Sequence, residues 1–256
     1  MEREPFPEYK LRWKSHDRVH FCLDGEHPAG ASQHQKLVVI DDRLAFCGGI
    51  DLTKSRWDTS AHSIDDDRRV DPSGQPYPPF HDVQMAVDAE AARTLGVLVR
   101  ERWRRAARSA PKTREEALDA DPWPVGLEPT LTDVDVGIAR TLPAYRDRKE
   151  VTEVENLYLE SIAAARRFIY IENQYLSAHR VGKALAQRLR EPDGPEVIIV
   201  TPQQTGGWLE QHTMDILRAR WLRDVREADA HDRLRVFVAQ LSEHPKCAVM
   251  IHAKVM

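Results

Sequence analysis

A histidine and a lysine separated by one residue lie beside an apolar run near each end of the chain. His34-Gln35-Lys36 precedes Leu37–Ile40, and His252-Ala253-Lys254 follows Val249-Met250-Ile251. On a strand, residues i and i+2 point to one face. Each pair therefore reads as an imidazole and an ammonium side by side on a strand. Asp41 and Asp42 close the first run as a turn, Leu44 to Cys47 returns as a second strand, and Gly48-Gly49 follow. The two pairs are too far apart for a short solenoid repeat, and the separation suits a duplicated domain.

Along the rest of the chain, strand and helix signals alternate. Arg18 to Leu23 reads as a strand. Thr53 to Phe80 is polar, contains the run Asp65-Asp66-Asp67, and is expected to form a long loop near the site. Asp82 to Val87 alternates as a strand does, and Asp88 is expected to cap a helix from Ala89 to about Ala107. Ser109 to Asp133, with Pro111, Pro122, Pro124 and Pro129, reads as a linker. Beyond it, Val134–Thr141, Phe168–Glu172, Val197–Val200 and Leu234–Leu241 are expected strands. Helices are expected after the capping box Thr152–Glu155, over Val181–Leu189 and over Gly207–Glu227. This order predicts an α/β sandwich with a mixed sheet, divided into residues 1–108, a linker 109–133, and residues 134–256.

Composition narrows the function classes. The 256 residues are 41% hydrophobic and 30% charged, which fits a globular chain. A net charge of −4 argues against a broad nucleic-acid footprint, and Arg100 to Arg108 reads as the solvated face of a helix. Cys22, Cys47 and Cys247 lack C-x-x-C spacing and read as small buried apolar residues. The sequence has no His/Cys/Asp cluster with zinc spacing, so neither a metal nor another cofactor is expected. The start, MEREPFPEYK, lacks the basic and apolar regions of a signal peptide. No run approaches the roughly 18–20 apolar residues of a membrane span. A cytoplasmic or peripheral membrane location is the expectation.

The paired side chains suit an anionic phosphodiester, which repels nucleophiles until its charge is neutralised. Lys36 and Lys254 can stabilise charge on the non-bridging oxygens. One histidine can attack phosphorus through a neutral ring nitrogen, and the other can protonate the departing alcohol. An unperturbed imidazole, with a pKa of about 6.5, serves both tasks near neutral pH.

With these residues in hand, the chain resembles the phospholipase D superfamily. That signature is H-x-K-x4-D, then six residues, then G-G-x-N, present twice per active unit. His34, Lys36, Asp41, Gly48 and Gly49 match, while Asp51 stands where asparagine is usual. The run GGIDLTKSRWDT resembles the phospholipase D proper branch, and PFHDVQMAVD and FIYIENQYL follow in the expected order. The resemblance implies two α/β/α halves facing each other about a pseudo-twofold axis, each giving one motif to one central site. It implies catalytic roles for His34, Lys36, His252 and Lys254, with His34 as nucleophile and His252 as acid. Asp82 matches the carboxylate that orients the nucleophile, and Asp41 is expected to brace the motif turn. Gly48, Gly49, Asp51, Glu172, Asn173 and Gln174 are expected beside the substrate. His62 and His212 are isolated histidines of the kind usually found in packing or at the surface.

The resemblance further implies a phosphohistidine-forming phospholipase D acting on a phospholipid at a membrane surface, by hydrolysis or transfer. The alternatives are a cardiolipin synthase-like phosphatidyltransferase, a nuclease of the same superfamily, or an inactive partial chain. The second motif reaches Met256 before its aspartate, and early strands of the first half are missing. The chain is thus expected to be part of a longer one and inactive alone, with a frayed, poorly oriented second motif. Oligomeric state is not legible. His34→Ala in the complete protein is expected to abolish turnover without unfolding, and near-normal activity would remove His34 from the chemistry.

Overall fold

The structure, a computed structural model, describes residues 15–111, 121–203, 208–241 and 244–256. The chain divides into two compact units, residues 1–47 with 85–152 and residues 48–84 with 153–256.

In the first unit, β1 (Leu37–Ile40) and β2 (Leu44–Gly48) form an antiparallel hairpin pairing Ile40 with Leu44. Asp41 and Asp42 turn it with φ of 51° and 56°, a left-handed conformation that aspartate tolerates better than most residues. The strand β4 (Gln84–Asp88) lies next to β2, and α1 (Ala89–Ala107) follows directly. Ala45, Val87, Ala92 and Leu95 form the small core. Asp88 sits at the N-cap with extended backbone, yet its side chain makes no capping hydrogen bond, contrary to expectation.

The arginines of α1 are not simply a solvated face. Arg100 donates to Asp42 at 2.6 Å and Arg102 to Asp24 at 2.7 Å. Arg108 and Arg146 both face Glu26. The segment 15–36 has no strand, so Arg18–Leu23 departs from its expected form, and these ion pairs hold it where ladder bonds were expected. The strand expected over Val134–Thr141 shrinks to β5 (Thr141–Leu142), paired with β6 (Val151–Thr152). Cys22 is half-buried and Cys47 exposed, so neither is the buried residue expected.

In the second unit, β7 (Phe168–Asn173), β8 (Glu196–Thr201) and β9 (Leu234–Val238) are parallel, β10 (Gln240–Leu241) and β11 (His244–Ala248) form an antiparallel pair, and β13 (Lys254–Val255) lies antiparallel on β7. The helices α2 (Glu153–Ala164), α3 (His179–Arg190) and α4 (Trp208–Glu227) alternate with the parallel strands. Ile162, Leu185, Leu189, Trp221 and Val225 from these helices pack with Ile169, Ile171, Val197 and Ile199 as one core. All three helices thus meet one face of the sheet. Phe168, Tyr170 and Phe237 on the other face are exposed, and the alternating strands and helices with a mixed sheet agree with the α/β architecture expected.

Long arginines close the helix ends. Arg188 donates to the Ala165 carbonyl at 2.7 Å, beyond the end of α2. Arg233 donates to the carbonyls of Leu189, Glu191 and Gly194, at the end of α3. Cationic donors suit these orphan carbonyls and the negative end of the helix dipole. Arg233→Ala should destabilise the chain by about 1–3 kcal/mol, the cost of orphaned carbonyls. Urea unfolding checks this, and Arg233→Lys should recover only part of the loss, because ammonium lacks the guanidinium fork.

Candidate active site

The second histidine–lysine pair is held at both ends by backbone pairing. The short strand β12 (Met250–Ile251) runs parallel to β3 (Phe80–His81), and the His252 N–H donates to the His81 carbonyl at 2.8 Å. After Ala253, which is fully buried, β13 pairs Lys254 with Asn173 and Val255 with Glu172. The segment expected to fray is therefore tied into two ladders.

Asp82 follows β3 and lies before β4, outside the strand expected for it. Its Oδ2 is 2.7 Å from His252 Nδ1, and both side chains are almost fully buried. Lys254 Nζ is 3.2 Å from the same nitrogen and also donates to the His252 carbonyl. One nitrogen cannot donate to Asp82 and accept from Lys254 together. The shorter, charge-assisted contact decides: Nδ1 carries the proton toward Asp82, and Nε2 is the nitrogen left for chemistry. This corrects the expectation of a poorly oriented His252, and places Asp82 on His252 where the nucleophile His34 was expected. The Phe80 ring packs on the imidazole at 5.3 Å, and the Arg56 guanidinium covers Phe80.

The glycine pair has a steric reason. A Cβ on Gly49 would stand 2.0 Å from Asp82 Oδ1, and one on Gly48 would stand 2.3 Å from the Val83 carbonyl oxygen. Gly49 N–H also donates to that carbonyl at 3.1 Å. Only glycine lets this chain approach the Asp82 carboxylate so closely.

The remaining expected residues have other surroundings. His34 is exposed and precedes β1, so the first pair is not on a strand; Lys36 Nζ donates to the His34 carbonyl at 2.9 Å. That lysine-to-carbonyl bond recurs between Lys254 and His252. Asp41 is in the hairpin turn. Asp51 lies 3.9 Å from Arg56. At the end of β7, Glu172 bonds His81, Asn173 accepts from the Tyr175 N–H, and Gln174 is buried. His212 belongs to α4, and its side chain is outside the described residues.

Three residues of consequence were not singled out for a role: Asp58, His62 and His81. Asp58 accepts from Arg69, His62 and the N–H groups of Thr59 and Phe80. Burial pushes its carboxyl up, but these four donors together hold it below the ordinary range. Arg69, 2% exposed, also bonds the Ile64 and Tyr77 carbonyls and so nails down the irregular loop. His62 Nε2 faces His81 Nδ1 at 3.2 Å, and His81 Nε2 faces Glu172 at 2.9 Å. The available signal was adjacency: His81 precedes Asp82, and Asp58 ends the R-W-D run.

The sequence model of the phospholipase D family matches residues 14–184. The chain belongs to the phospholipase D family. It is 28% identical to Phospholipase D1 of Schizosaccharomyces pombe over 213 residues, covering 62% of this chain and 15% of that protein. It is 29% identical to Phospholipase D beta 1 of Arabidopsis thaliana over 200 residues, 56% of this chain and 18% of that protein. The chain thus spans less than a fifth of the length of either relative.

Two outcomes follow from this geometry. Gly49→Ala should push the Asp82 carboxylate off His252 and lower kcat in the complete protein, with the fold retained by circular dichroism. Asp58→Asn should cost about 3–5 kcal/mol in denaturant unfolding, because Arg69 is left buried without its counter-charge. Because the folded Asp58 carboxyl is lowered from 3.8, its stabilisation is complete above that value and is lost as pH falls through the lowered one. The variant should flatten that acid-side loss.

Proposed function

We propose that this chain carries the reacting residues of a phospholipase D-type displacement at the phosphodiester of a glycerophospholipid, presented at a membrane surface. The observation that carries the reading is the buried 2.7 Å contact between Asp82 and His252 Nδ1, beside Lys254. A carboxylate on Nδ1–H stabilises the imidazolium that a proton-transfer residue must visit, and it aims Nε2 outward. No helix among the described residues is long and apolar enough to cross a membrane.

In this reading the two halves arise by duplication, and the His34 and His252 motifs serve one reaction. His34 attacks phosphorus through a neutral ring nitrogen; the phosphorus–oxygen bond to the head group breaks as His252 Nε2–H gives its proton to the departing alkoxide. Water or another alcohol then attacks the phosphohistidine, losing its proton to His252 and freeing His34. Lys36 and Lys254 neutralise the non-bridging oxygens, whose charge is greatest in the transition state. Lys36→Ala should therefore lower kcat together with kcat/KM.

Asp82 on His252 also suits the reverse assignment, with His252 as nucleophile. Leaving-group dependence separates the two. The complete protein is given phosphatidylcholine with ethanol, and phosphatidylethanol is measured beside release of p-nitrophenol from an activated phosphodiester. His252→Ala should lose about 10²–10⁴-fold on the choline ester and far less on the p-nitrophenyl ester, which leaves without a proton. Equal loss on both would make His252 the nucleophile. No phosphatidylethanol from the unaltered protein would overturn the substrate assignment.

A further inference from the structure

We propose that Asp58, His62, His81 and Glu172 form a proton-loaded clamp that positions the His252–Lys254 segment. The four side chains make an unbroken line: Asp58 Oδ2 to His62 Nδ1 at 2.9 Å, His62 Nε2 to His81 Nδ1 at 3.2 Å, and His81 Nε2 to Glu172 Oε2 at 2.9 Å. Three hydrogen bonds need three protons. Two neutral imidazoles and two carboxylates bring only two.

The flanking groups do not supply the third. Asp58 is held ionised by Arg69 and by the Phe80 and Thr59 N–H groups as well as by His62. Glu172 accepts a second bond from the Tyr170 hydroxyl, whose pKa burial pushes up to about 12, so the phenol is a donor to Glu172 and keeps its own proton. With both carboxylates accepting, each histidine turns its protonated nitrogen outward to a carboxylate. The two inner nitrogens then confront each other, and their contact is attractive only with one extra proton between them. The line as a whole carries that proton, leaving one net negative charge on four groups.

Its place in the fold gives the proton a task. His81 belongs to β3, which pairs with β12; Glu172 belongs to β7, which pairs with β13. The His81–Glu172 contact therefore joins the two strands that grip the motif on either side of His252. Asp58 anchors the other end through the Phe80 N–H at the start of β3. The charged neighbours on these elements are Arg69 behind Asp58, Asp82 after His81, and Lys254 in β13. Loss of the third proton sets two lone pairs against each other and loosens the strand-to-strand tie. These four are positioning residues, and only the activity readout below rests on the proposed chemistry at His252.

The test uses the full chain with ¹⁵N-labelled histidine. Imidazole nitrogen signals of His62 and His81, assigned by single substitution, should show three protonated nitrogens among four at pH 7. Glu172→Gln keeps an oxygen acceptor but removes the charge. It should release the third proton at a pH lower by about one unit, a tenfold weaker hold. Tyr170→Phe frees Glu172 from a competing donor and should shift release the opposite way, which a merely damaged fold would not do. In the same variants the alkaline limb of kcat should move with the proton, KM staying constant. One proton on each ring at pH 7, or release unmoved by both variants, would overturn the clamp. Signals that behave as expected with kcat unmoved would leave the loaded line in place and overturn its positioning role. If the chain turns over no phospholipid, the nitrogen signals still decide the proton count.

Discussion

The hydrogen bond between Asp82 and His252 is the constraint around which the second unit is arranged. Two groups with seven percent exposure or less stand 2.7 Å apart, and neither is tolerable there without the other. Each neighbouring feature serves that approach. The Gly48-Gly49 pair leaves room for the carboxylate, the β3–β12 ladder sets the height of the two residues, and Phe80 floors the ring. Buried polar contacts of this kind favour one arrangement strongly because the alternatives leave unsatisfied groups.

The loop between Thr53 and Phe80 has almost no regular structure, apart from the bridge between Val70 and Pro76. It is ordered by charge rather than by apolar burial. Arg69 reaches two carbonyls and a carboxylate, and Asp58 collects four donors, one of them the first N–H of β3. A long polar segment so held can carry functional histidines without a core of its own, with the loop's position fixed by a few strong directional bonds. Arginine does similar work at the helix ends, where Arg188 and Arg233 take carbonyls that water would otherwise satisfy. In this arginine-rich chain, many guanidinium groups that read as surface charge in the sequence are internal fasteners.

Local regularity was legible. The helix Ala89–Ala107 and the strands at Leu44, Phe168 and Val197 show period-3.6 or apolar patterns that survive in the fold, because in each unit their apolar side chains meet that unit's own core. What failed were elements whose partners lie far away in sequence. Arg18–Leu23 looks extended but finds no ladder, and ion pairs with α1 fix the neighbouring residues Asp24 and Glu26.

The sequence by itself determined the chemistry on offer: two histidine–lysine pairs, a glycine pair, and a nearby H-D-V run, all residue types suited to an anionic ester. Spacing of two along an extended segment is a local property, so the pairs could be read without a fold. Only the tertiary structure decided that Asp82 belongs to His252, that Gly49 exists to admit that carboxylate, and that His62 and His81 join Asp58 to Glu172. Those contacts link residues up to 170 positions apart, where side-chain direction and burial come from packing, and no local pattern records them.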